Sequence, residues 1–126
     1  MMLYRPLFAV TGVFAVLLGV LLVVAPELYL DVYLAAPDAS RGFAARRLAP
    51  AVIRLGAVLF LMRSVSPGPV LLRFAVVTAC VWFGVAATGV YDFVMGTAHG
   101  SILIAAAIEV LLGLLFLAAA RGARTT

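Results

Sequence analysis

The feature that most constrains this chain is the stretch 7–25, which contains no charged side chain and is bracketed by Arg5 with Pro6 on one side and Pro26 with Glu27 on the other. A bilayer core about 30 Å thick is crossed by roughly 20 apolar residues in a helix. Three similar stretches follow. The second, near 48–64, is interrupted by Arg54 and preceded by Arg46 and Arg47; the third, near 73–91, runs from Arg73 towards Asp92; the fourth, near 101–120, is interrupted by Glu109 and closed by Arg121. None shows the alternation of a membrane β-strand. The reading is an all-α membrane protein, one domain over residues 1–126, with four transmembrane helices and a short interfacial helix in the first loop.

Composition narrows the function classes. Of 126 residues, 67% are hydrophobic and 11% charged, against roughly 45–50% and about 25% in soluble domains. So few charges cannot clothe a soluble core, which excludes an ordinary soluble enzyme, a disordered chain and a nucleic-acid binder. The net charge of +4 comes from nine arginines and no lysine, a pattern that sets orientation in a bilayer rather than binding to phosphate backbones. A lone cysteine, Cys80, excludes a disulfide framework and a cysteine zinc site. One histidine with scattered carboxylates offers no metal-ligand spacing. No phosphate loop, nucleophile elbow or haem motif is present, so no cofactor is expected.

Orientation follows from the arginines. With four spans, Arg5, Arg63, Arg73, Arg121 and Arg124 share one face, and Arg41, Arg46 and Arg47 the other. Five against three favours both termini in the cytoplasm. The first apolar run is longer than a signal-peptide h-region, and Pro26 follows Ala25, the one small-residue cleavage position, so the segment is expected to stay as a span. Heavy Ala, Val and Arg use without lysine suggests a high-GC bacterial source, hence the cytoplasmic membrane. The link at 64–72 contains Ser-Pro-Gly-Pro and reads as a tight turn. In the long first loop, APELYLDVYL mixes Leu28, Tyr29, Tyr33 and Leu34 with acids, as an interfacial helix does. The next helix is expected to start near Asp38, with Pro50 kinking it.

Arg54 and Glu109 are the charges that a membrane composition does not explain. Each costs about 2.5–3.5 kcal/mol at a helix centre on insertion scales. At about 1.5 Å per residue, they lie roughly 9 and 12 Å below the same boundary, so an ion pair between the second and fourth helices is the simplest expectation. Ala105, Glu109 and Gly113 form one helical stripe, Cys80, Gly84, Thr88 and Asp92 another, and Thr11, Ala15 and Gly19 a third; small residues at this spacing let helices approach closely in lipid. The remaining titratable groups gather at the end of the bundle away from the termini. This gives Glu109, Asp92 and His99 as candidate acid/base residues, with Asp92 the nearest partner for His99. Arg54, Arg47, Glu27, Tyr91 and Tyr33 are the candidate ligand contacts. Each also has a plainer reading: a buried structural pair for Arg54 and Glu109, interfacial anchors for Arg46 and Arg47, an exposed loop residue for His99, and lipid-facing or core packing for Trp82.

The runs RLGAVLFLM from Arg54, VLLGVLLVVAPELYL from Val16 and IEVLLGLL from Ile108 resemble a family of small bacterial four-helix integral membrane proteins catalogued as a domain of unknown function. The resemblance implies four helices and singles out Arg54 and Glu109, while implying no activity. SRGFAARR in the first loop is richer in arginine than that family's pattern. The function expected is binding of a membrane lipid or a lipophilic or amphipathic small molecule in an outward-facing polar pocket, with cofactor-free acid/base isomerisation or cyclisation as the chemistry those groups permit. The alternatives are a structural or accessory subunit of a membrane complex, and a small transporter built as a homo-oligomer.

Overall fold

A computed structural model describes residues 3–36 and 39–124. Five helices follow in order: α1 (Tyr4–Val24), α2 (Pro26–Tyr33), α3 (Ala39–Met62), α4 (Pro69–Val94) and α5 (Ser101–Arg124). Proline sets two of the starts. Pro26 lacks the N–H that would carry α1 onward and opens α2 at its first position, and Pro69 opens α4 after Gly68. The α2 helix stands where the interfacial segment was expected; Asp38, the expected start of the following helix, lies outside the described residues. Pro50 sits within α3 on its exposed side.

Helices α1, α4 and α5 are long and apolar enough to cross a membrane, and large apolar residues such as Val10, Leu17, Val77, Ile104 and Leu111 line their outer faces, as lipid contact requires. The chain is a membrane protein. Among the described residues three helices qualify by length and composition, not the expected four, because Arg46, Arg47 and Arg54 interrupt α3.

The bundle is two antiparallel hairpins, α1 on α3 and α4 on α5, with α1 also meeting α5. Glycine decides the first pairing. A Cβ on Gly12 would stand 2.6 Å from the Phe60 backbone nitrogen, and one on Gly56 would stand 2.6 Å from the nitrogen of Val16. Only glycine lets these backbones come so close. Gly19 meets Ile53 and the Ala49 carbonyl in the same way. On α5, Gly113 receives the Phe83 ring. The stripe expected at Thr11, Ala15 and Gly19 is buried, whereas Cys80 and Gly84 on α4 are exposed. The packed face of α4 is instead Leu71, Ala75, Ala79, Ala86 and Gly89.

The two hairpins are joined most firmly at the end that holds both termini and the 63–68 turn, here the termini end. Phe8 is fully buried there, its ring edge-on to Phe116 at 4.9 Å and tilted against Phe74 at 5.9 Å. Tyr4, Leu59, Leu71, Ala75 and Ala120 complete a core to which all four long helices contribute. The buried hydroxyls of Thr11 and Thr78 donate to their own helices, at the Leu7 and Phe74 carbonyls, whereas the buried indole N–H of Trp82, packed against the same core, has no partner among the described residues.

Candidate functional site

At the other end, the loop end, the chain closes on itself by a different chemistry. The α4–α5 link turns at Gly96, whose φ of +74° favours glycine. That turn lets the backbone N–H groups of Thr97 and Ala98 donate to the Asp92 carbonyl, while the Thr97 hydroxyl reaches the Asp92 carboxylate at 3.1 Å. The next residues pair with the strand-like end of α2. Leu34 and Ala98 form an antiparallel bridge, His99 N–H donates to the Tyr33 carbonyl at 2.7 Å, and Ala35 N–H to Thr97 at 3.2 Å. The Ser101 hydroxyl donates to the Val32 carbonyl. The two hairpins are thus tied at this end by hydrogen bonds rather than by a core.

Between these ties and the termini-end core lies an open cleft of about 380 Å³. The α2 helix contributes Tyr29, Leu30, Tyr33 and Leu34, with α3 adding Arg41. The opposite wall is Val85, Thr88, Gly89 and Asp92 of α4, then Thr97 and Ala98 of the link. Ile102 and Glu109 of α5 form the rest. Tyr29 and Tyr33, one turn apart on α2, lie ring against ring at 4.9 Å. Burial, reinforced by Tyr33 and then by the Glu109 carboxylate, holds the Tyr29 hydroxyl above its ordinary 10.0. Tyr29 is therefore a permanent hydrogen-bond donor on the cleft wall at neutral pH.

The structure assembles only part of the expected constellation. Glu109, Asp92 and Tyr33 share the cleft. His99 does not line it: its ring is exposed, its backbone serves the bridge, and Asp92 bonds to Thr97 instead. Glu27 makes an exposed ion pair of 3.5 Å with Arg46. Arg47 and Tyr91 point outward, Arg47 lying by the Phe43 ring at 5.9 Å.

The expected Arg54–Glu109 pair is not formed, and the reason is directional. Gly56 meets Val16 and Ile53 meets Gly19, which sets Arg54 level with the middle of α1. Two turns, about 10 Å, from the Phe8–Phe116 contact set Glu109 at a similar height. However, α3 and α5 share no packed interface; both lean on α1. Arg54 lies on the exposed side of α3, away from α1, while Glu109 borders the cleft. Among the described residues neither makes an ion pair.

Sequence reasoning missed Arg41, Tyr29, Thr88 and Thr97 as wall residues. Tyr29 was detectable as the i−4 neighbour of Tyr33 on one face of a helix, and Thr88 as the residue one turn before Asp92. No family profile, curated protein or solved structure matches the chain.

Proposed function

We propose that this protein spans the membrane four times, with both termini in the cytoplasm, and holds a lipophilic or amphipathic small molecule in the loop-end cleft. The fourth span is α3. Its middle lies directly against α1 through Gly12, Gly19 and Gly56, so it shares the depth of a helix that carries no charge beyond Arg5 in its first turn. The single observation that carries the ligand reading is the cleft itself. In a chain with so few charges, Arg41, Asp92 and Glu109 converge with two tyrosines and two threonines on one cavity beside apolar walls. Ligand sites have this make-up, mostly apolar with a few convergent polar groups, and volumes of about 300–1,000 Å³.

The wall suits a molecule with a polar head and an apolar body. Arg41 and Tyr29 supply donors to the head, Asp92 and Glu109 accept from it, and Val85, Leu30 and Ile102 flank the body. Glu109 is the deepest titratable group of the wall and the one placed to exchange a proton with a bound molecule, so cofactor-free isomerisation or cyclisation would run through it. Arg54 and His99 have no part in this.

Native mass spectrometry of protein released from its own membranes tests the reading. Wild type and Arg54→Gln are expected to carry the same non-lipid or single-lipid adduct, and Glu109→Gln to lose it. An adduct retained equally by Glu109→Gln and by Tyr29→Phe/Tyr33→Phe would sink the cleft as its site.

A further inference from the structure

We infer that the outward face of α3 is a docking seam for a transmembrane helix of another protein that carries a carboxylate at mid-membrane level, with Arg54 as its partner. On a helix of 3.6 residues per turn, Phe43, Arg47, Arg54 and Leu61 fall on one stripe opposite Ala49 and Gly56, the residues packed on α1. All four are exposed, whereas Ala49 and Gly56 are buried. Ala51 and Ala57, also exposed, flank Arg54 and leave room for a neighbouring backbone to come close.

Depth selects the occupant. Arg54 stands level with residues 16–18 of α1, within about 6 Å of that helix's midpoint, whereas the hydrocarbon edge is roughly 15 Å from the bilayer centre. Headgroup phosphates are out of reach of this side chain unless the bilayer thins around it. Arg47, two turns nearer the loop end, is the residue at headgroup level. A second copy is also disfavoured. A two-fold contact through this seam sets Arg54 against Arg54, and the chain's one acid at this height, Glu109, is committed to the cleft. A charge near the bilayer centre calls for an opposite charge, and the remaining source is a different membrane helix. The inference rests on α3 lying in the membrane, not on the cleft's ligand.

The test uses the full chain, dye-labelled at its N-terminus, in phosphatidylcholine bilayers with a labelled Leu/Ala transmembrane peptide bearing one central Glu, or Gln in its place. Energy transfer is expected to show the Glu peptide binding about tenfold tighter than the Gln peptide. That preference should vanish in Arg54→Leu and persist in Arg47→Gln and Glu109→Gln. Equal binding of the two peptides, or a preference that survives Arg54→Leu, overturns the seam. So does phosphatidylglycerol displacing the Glu peptide from wild type, which would make a lipid phosphate the occupant. An environment-sensitive dye on Ala57→Cys, in a Cys80→Ser background, separates the two failures. Apolar emission keeps α3 in the bilayer whatever the peptide does, and water-like emission removes the fourth span and the seam together.

Discussion

The two ends of the bundle are held by opposite means. At the termini end, Phe8, Phe74 and Phe116 interlock, small alanines let the helices close on them, and no carboxylate or guanidinium belongs to the core. At the loop end the same two hairpins separate around polar side chains and are tied by a two-residue bridge and a few hydrogen bonds. Dispersion contacts among interlocked rings fill the space between the helices, and the cavity beside them, about 240 Å³ between Leu72, Val76 and Leu117 with Arg121 and Arg124, has no acidic group on its wall. Hydrogen-bonded ties hold a gap open without filling it. One end supplies stability and the other supplies a site, and the described acids, Glu27, Asp31, Asp92 and Glu109, all lie on the site's side.

Substitutions can break or sharpen that contrast. The largest effect is expected from Phe8→Ala, which should cost about 3–5 kcal/mol in reversible unfolding by mixed detergent; a loss under about 1 kcal/mol would mean that the termini end is not the anchor. Glu109→Gln should move stability the other way, by on the order of 1–2 kcal/mol, since it removes a half-buried ionisable group from the span, while abolishing the cleft adduct. Thr97→Val removes the hydroxyl that holds the Asp92 carboxylate and should cost about 1 kcal/mol. Hydrogen exchange should then quicken at the His99 and Ala35 amides and stay unchanged around Phe116; uniform quickening would deny the ends their independence. A smaller effect belongs to pH. Tyr29 would ionise near 10 in the unfolded chain and only above that when folded, so its contribution to stability is intact below pH 10 and is lost as pH climbs through the folded value. The near-ultraviolet phenolate signal, compared between wild type and Tyr29→Phe, should place the missing step above 10. Exposed Glu27 and Arg46 should matter least, under about 1 kcal/mol.

Element positions were legible in the sequence because apolar length is a one-dimensional property. The stretches near 7–25, 73–91 and 101–120 each lie within or overlap a helix, extended at their ends by a few residues. Height was legible too, since rise per residue places Arg54 and Glu109 at matching levels. Direction was not. Which face of α3 turns inward is decided by Gly56 fitting Gly12, a fit between two surfaces that no single stripe reveals. Cys80 and Gly84 have the same small-residue spacing yet face outward, because small residues are as comfortable against lipid as against a helix. The cleft was half legible for a related reason. Glu109, Asp92 and Tyr33 stood out as polar groups near one end, but Arg41 enters only through the way α2 folds back over the bundle, and His99 leaves because its backbone is needed for the bridge.

The pairing of Leu34 with Ala98 has a consequence for how the chain is made. Its two strands of backbone are separated by the whole of α3 and α4, so a ribosome finishing the first hairpin has produced one rim of the cavity and nothing to fasten it to. The latch closes only after the final helix has entered the bilayer, and Ser101, at that helix's first turn, is among the last groups to engage. A nascent or truncated chain ending before α5 would therefore lack both the Ile102 and Glu109 wall of the cavity and the Phe116 ring that joins the two hairpins.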